Sequence, residues 1–300
     1  MQIGLVLPMA EPDGPGAGRW PQIKRLAQLA EAGGIDSLWL YDHFLFRGPG
    51  EGDGEEGGIH EAWTLLSAVA AVTERADLGT IVLGTGFRPP ALTAKMAATL
   101  DEVSDGRLIL GLGTGWNEPE YTAFGYPFDH RAGRFEETLE IIVPLTRGER
   151  VTYEGQWHHV EDAVLIPPPP RGTRLPGRIP ILIAAKGERV LRLTAKWADA
   201  WNAAWFGVPD ERFTARRADL VAACRAEGRD PATLEVTAGV SVGETAAVSL
   251  PKDADAIARA LDQWRDQGVG TVQLSVGEIT ERDVEIVVAA RARHRGEVAA

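Results

Sequence analysis

The chain of 300 residues predicts an α/β protein, a single-domain (β/α)8 or TIM barrel. Three observations carry that prediction. Short β-branched apolar runs alternate with stretches of helical period, the order expected of parallel strands joined by crossover helices. Eight such pairs can be counted, with no composition break between them. The length suits one closed barrel, which typically needs about 250 residues. A doubly wound open sheet is the rival architecture, and eight near-regular units favour closure over it.

The first strand is read over residues 3–8. Its helix, 20–32, puts Ile23, Leu26, Ala27 and Ala30 on one face and stops at Gly33-Gly34. Strand two spans 35–41, and a Gly/Glu-rich loop at 47–58, read as disorder with a lid as its alternative, leads to a helix at 61–74. Strand three, 78–84, precedes a helix at 91–104. Strand four, 107–113, is followed by an irregular insertion over 114–130 and then a helix at 131–147. Residues 150–166 alternate around Gly155 and predict a small hairpin outside the barrel rhythm, with PPPP at 167–170 as a stiff connector. The rhythm resumes with strands at 179–184, 198–203, 234–242 and 271–276. Their helices follow at 188–197, 210–227, 253–267 and 281–293.

Composition narrows the function classes. Hydrophobic residues make up 44% and charged residues 25%, an ordinary globular balance. Net charge is −12, which argues against a nucleic-acid partner. Cys224 is the one cysteine, so neither an internal disulfide nor a Cys-rich zinc site can form; its mid-helix setting reads as packing. The opening MQIGLVLP lacks a basic leader and reads as a strand, and no apolar run approaches a membrane span, so a cytoplasmic protein without membrane partner is expected.

In a (β/α)8 barrel the chemistry gathers where strands end, because the loops there converge on one bowl. Strand two ends at Asp42-His43, which reads either as a capping Asp with a structural His or as a titratable imidazole at the mouth. Strand three ends at Gly84-Thr85-Gly86 and strand four at Gly113-Thr114-Gly115-Trp116-Asn117. The glycines there suit close approach of backbone to a ligand. The run 111–115 is no dinucleotide fingerprint, because it lacks the third glycine and no helix opens directly after it. Strand six ends at Trp201-Asn202. Ala185-Lys186-Gly187-Glu188 precedes a helix whose first N–H groups can receive a phosphate; an ordinary βα turn is the plain alternative, and a Schiff-base Lys186 would need an apolar bowl around it. His158 and His159 are adjacent on a strand, point to opposite faces and read as structural. Trp39, Trp63 and Trp197 read as packing.

Four segments, DSLWLYDHF (36–44), EAWTLLSAVAAVTERADLGTIVL (61–83), PPALTAKMAATLDEVSDGRLILGLGTGWNEPEY (89–121) and IPILIAAKGERVLRLTAKWADAWN (179–202), together resemble the bacterial luciferase-like family, in particular its coenzyme F420-dependent oxidoreductase branch. The resemblance implies a luciferase-like TIM barrel with an insertion after strand four, and a deazaflavin, or alternatively FMN, in the mouth. It implies hydride transfer with a small organic substrate; with FMN the same pocket would serve a monooxygenase, and a non-catalytic flavin-binding protein is a further alternative. His43 would face the reactive edge of the ring beside Asp42. A non-proline cis peptide in strand three would fall at Ile81-Val82, near Gly84. Thr114, Gly115 and Asn117 would line the ring or ribityl chain, and Ala185, Lys186, Gly187 and Glu188 would hold the phosphate. Related sugar-phosphate dehydrogenases carry a glutamate where this chain has Trp116, which leaves acid–base duty to His43, to Glu118 or to the substrate. Family members often dimerise through barrel helices, so a homodimer is also admitted.

Overall fold

The computed structural model describes residues 1–9, 18–45, 58–168, 177–243 and 248–297. Its elements in chain order are β1 (Gln2–Val6), α1 (Trp20–Ala32), β2 (Ser37–Leu40), α2 (Ala62–Ala70), β3 (Asp77–Thr80), β4 (Leu83–Gly84), α3 (Pro90–Val103), β5 (Leu108–Gly113), α4 (Glu118–Ala123), α5 (Arg131–Thr146), β6 (Val151–Glu154), β7 (His159–Ala163), β8 (Ile181–Ala184), α6 (Glu188–Trp197), β9 (Ala200–Phe206), α7 (Glu211–Ala226), β10 (Glu235–Val242), α8 (Ala254–Asp266), β11 (Thr271–Val276) and α9 (Glu281–His294). All but one of the proposed lid residues, 47–58, lie outside the described residues.

The strands pair in the order β3-β2-β1-β11-β10-β9-β8-β5-β4, and β3 also pairs with β5, which closes the sheet into a barrel. Every ladder in it is parallel. Taking β3 and β4 as one interrupted stave, the barrel has the eight predicted strands. Alternate residues along each strand serve two cores. Leu5, Leu38 and Leu110 face outward to the helices, while Val6, Trp39, Ile81, Ile109, Leu182 and Ala200 pack together inside the barrel. Trp39 is buried there and donates to Ser37 Oγ at 2.8 Å; Trp63 is buried too, as packing residues should be.

Three local departures from the sequence reading matter for the site. Strand three is not continuous: the peptide between Ile81 and Val82 is cis, at the position the resemblance implied, and it separates β3 from β4. The insertion is not wholly irregular, since it contains α4, begun at Asn117 with Pro119 in its first turn. Strand six runs on to Phe206, so Asn202 sits in mid-strand, not at its end. Its amide donates to Thr237 Oγ1 at 3.0 Å and Gln273 Oε1 at 3.1 Å inside the barrel.

The hairpin forms as predicted from β6 and β7, antiparallel. Glu137 of α5 pins its turn by accepting from the N–H groups of Gln156, Trp157 and His158 at 2.7–3.0 Å. Cys224 is buried in α7. No described helix is long and apolar enough to cross a membrane, and no described group of His, Cys, Asp and Glu can hold a metal ion.

Candidate active site

The mouth is built where β2, β4, β5 and β8 end. Parallel pairing sets neighbours in register: Gly84 lies beside Gly113, and Leu112 beside Ile183, so the turns after these strands start side by side.

Asp42 follows β2 and is buried. Its Oδ2 accepts from Gly84 N–H at 2.8 Å and Arg88 Nη1 at 2.8 Å, while Oδ1 accepts from Arg88 Nη2 at 3.0 Å. Burial pushes the Asp42 carboxyl upward, and the Arg88 guanidinium and Gly84 amide oppose it. With a bidentate arginine fork and an amide donor, the group is a carboxylate. Burial works to lower the Arg88 pKa, but the hydrogen bonds it donates to Asp42 and Glu61 hold it above its ordinary value. Glu61 also caps α2, accepting from Trp63 and Thr64 N–H at 3.0 and 2.7 Å. Asp42 therefore braces the mouth from below.

His43 stands next to it with 14% of its side chain exposed. Its Nδ1 lies 3.0 and 3.2 Å from the two oxygens of Glu120, and its ring meets the edge of Trp116 with centroids 5.6 Å apart. Glu120 is buried and also accepts from Phe44 N–H at 2.9 Å. The carboxylate on His43 is thus Glu120 and not Glu118, which is exposed at the start of α4. Positions two apart on a helix point to nearly opposite sides, so only one of the two glutamates can turn inward. The sequence shows both; the fold selects the second. Trp116 is 70% exposed and forms an apolar wall at the opening.

Behind this pair the glycines of β5 are accounted for by packing. A side chain at Gly111 would strike the Thr80 carbonyl, and one at Gly113 would lie 2.5 Å from Val82 Cγ2, so β5 is stripped to backbone where the Ile81-Val82 bend crosses it. Gly115 has φ +73°, and a Cβ there would collide with the Tyr121 hydroxyl. Tyr121 is buried, its hydroxyl 3.4 Å from the Thr114 carbonyl and its pKa pushed up by burial to about 12. Asn117 donates to the Leu45 carbonyl at 3.3 Å, tying the strand-four turn to the segment after His43.

Across the mouth, Gly187 caps α6 with no side-chain acceptor for the first-turn N–H groups, and a Cβ on it would meet nothing within 4 Å. Ala185 is buried and its carbonyl accepts from Trp201 Nε1 at 3.0 Å, which fixes the turn. Glu188 and Lys186 are exposed. Partial burial, then the Arg216 charge, lowers the Lys186 pKa, yet the exposed side chain does not point into an apolar bowl. The glycines that end strands three and four are thus required by protein packing and not, as expected, by the approach of a ligand. It is the open, uncapped α6 terminus that fits the phosphate of a flavin or deazaflavin, and His43 with the exposed Trp116 that fits the edge of a flat ring. Among these residues Glu120 and Arg88 were not singled out from sequence; the spacing of Glu118 and Glu120 around Pro119 was the available signal for the first.

A family model described as luciferase-like monooxygenase matches residues 1–297. The chain belongs to the luciferase-like monooxygenase family. Within it, the chain is 35% identical over 249 residues to the phthiodiolone/phenolphthiodiolone dimycocerosates ketoreductase of Mycobacterium kansasii, covering 76% of this chain and 63% of that one. It is 38% identical over 177 residues to the F420-dependent glucose-6-phosphate dehydrogenase of Microbacterium testaceum, covering 58% and 49%. The matched region thus spans about half to under two thirds of these luciferase-like relatives. An F420-dependent secondary alcohol dehydrogenase, solved with an F420-acetone adduct, shares the fold with TM-score 0.74 and 19% identity over 97% of this chain and 99% of that one. Monooxygenase RslO1 from Streptomyces bottropensis shares it with TM-score 0.75 and 23% identity over 98% of each.

Proposed function

We propose that this luciferase-like protein is a coenzyme F420-dependent oxidoreductase acting on a small organic substrate. The observation that carries the reading is the His43–Glu120 pair beside the strand-four turn, in a mouth that also holds the uncapped terminus of α6. The F420 dependence named for the Microbacterium testaceum relative supports the choice of cofactor.

A bound deazaflavin would supply a two-electron hydride carrier; the protein supplies position and proton handling. The carboxylate of Glu120 requires the proton of His43 on Nδ1 and fixes the ring plane, so proton exchange is assigned to Nε2. Trp116 and the exposed edge of His43 shape the opening, and the α6 amides with Gly187 would receive the phosphate. Asp42 is a brace, held by Arg88, and takes no proton from the substrate. Thr114, Gly115 and Asn117, with Ile81, Val82 and Gly84, would hold the ring.

The test is a fluorescence titration of the purified protein with F420 and with FMN. Saturable F420 binding without FMN binding supports the reading; FMN binding alone replaces it with a flavin monooxygenase. In the F420-loaded enzyme, His43→Ala lowers kcat by about 10²- to 10⁴-fold with cofactor affinity retained. Glu120→Gln gives a smaller loss, about 10- to 100-fold, and moves the pH profile of kcat, which a purely structural glutamate would leave in place.

A further inference from the structure

Beside the strand-four turn, but outside the barrel, lies a cavity of about 330 Å³, lined by Phe128, His130, Arg131, Gly133, Trp157 and Arg189. Its position is telling. Arg131 donates to the Gly115 carbonyl at 2.6 Å, which anchors one side to the strand-four turn. Arg189 belongs to the first turn of α6, two residues beyond Gly187, and anchors the other. The cavity therefore bridges the two turns that the proposed function gives to ring and phosphate.

Its chemistry is cationic and aromatic in a chain of net charge −12. His130 stacks on Trp157 with centroids 5.5 Å apart at 29°, and Gly133 lies so close to that indole that a Cβ would sit 2.6 Å from it. The Arg131 guanidinium lies over the Phe128 ring at 4.1 Å. Of the neighbouring carboxylates, Asp129 pairs with Arg134 at 2.9 Å and Glu137 with the hairpin amides, whereas Glu136 pairs at 2.6 Å with Arg189 of the cavity wall itself and offsets its charge. Among the described residues no carboxylate pairs with Arg131, whose remaining donors line the cavity. An oxyanion on a flexible arm satisfies them, and the aromatic walls hold the arm without demanding one conformation.

We propose that this cavity is a subsite for an anionic arm of the cofactor lying beyond its phosphate, with Arg131 as the principal contact and Arg189 as the second. The inference rests on the F420 reading. F420 carries an acidic oligoglutamyl tail of this kind, whereas its tail-free deazaflavin precursor and FMN do not.

The test compares F420 with the tail-free deazaflavin on wild type, Arg131→Lys and Arg189→Gln by fluorescence titration. Arg189→Gln leaves the Gly115 anchor untouched, so it separates arm recognition from damage to the mouth. The expected result is that wild type prefers F420 by about ten-fold or more, that added salt narrows the preference, that both variants reduce it, and that Arg189→Gln does so without weakening the tail-free ligand. Equal affinity for the two ligands in wild type, or a preference both variants leave intact, overturns the subsite while the proposed function stands. Failure of both deazaflavins to bind wild type overturns both.

Discussion

Two buried arginines at opposite ends of the barrel show how differently its ends are held. Arg88, at the mouth, is paired with carboxylates: Asp42 through two hydrogen bonds and Glu61 through a third. Arg107, at the base, hydrogen-bonds to neutral oxygens, the carbonyls of Ser104, Ala76, Ala70 and Thr73 at 2.7–3.1 Å and Thr73 Oγ1 at 3.1 Å, and feels carboxylates such as Glu31 and Asp77 only through space. Burial lowers the Arg107 pKa, whereas the Arg88 pKa is raised against burial by its partners. The base uses a cation to knot two connections together, the one between α2 and β3 and the one between α3 and β5. The mouth keeps a compensated ion cluster directly beneath His43, so its rigidity depends on charge balance and not on main-chain closure alone.

The largest effect should come from the mouth. Arg88→Met strands the buried Asp42 carboxylate and should cost about 3–5 kcal/mol in denaturant unfolding. Without its partner the Asp42 carboxyl rises further, so the folded state holds the proton more tightly than the unfolded chain. Stability is then lost as pH rises, and the deficit shrinks in acid. Adding Asp42→Asn should restore part of it; no restoration would mean that packing, not charge, sets the cost.

At the base, Arg107→Met should cost about 2–4 kcal/mol by leaving buried carbonyls without donors. That loss should vary little between pH 5 and pH 8, because Glu31 and the other carboxylates that act on Arg107 do so only through space and none is hydrogen-bonded to it. A deficit that varied with pH as the Arg88 variant's does would break the contrast between the two ends.

The smallest effect should be a gain. Asp101, also at the base, is buried beside Glu102 and Asp105 with one amide, Leu108 N–H, on Oδ1 at 3.3 Å. Burial, and then those neighbouring charges against the amide, put its pKa at about 6. A folded pKa above the unfolded one, about 3.9, means this group favours folding in acid and loses that contribution as pH rises through about 6. Asp101→Asn should therefore be more stable than wild type above that range by about 1–2 kcal/mol, allowing for solvent screening, and equal to it below about pH 4. Thermal unfolding across pH checks the sign.

Much of this molecule was legible in the chain. Hydrophobic period and Gly/Pro punctuation place the eight staves, their helices and the hairpin, because burial on both faces leaves an unbroken apolar run and helices leave a 3.6-residue stripe. The strand-end rule singled out Asp42, His43 and the 113–117 and 184–188 turns for the same reason: the topology of a parallel barrel alone sends those ends to one face. What remained closed to sequence is whatever depends on side chains distant in the chain meeting in space. Glu120 reaches His43 across 77 positions, Arg88 reaches Asp42 across 46, and Arg131 turns toward Gly115 only because α4 and α5 fold back over the mouth. Local pattern fixes which face a residue takes; only packing decides which partner waits on that face.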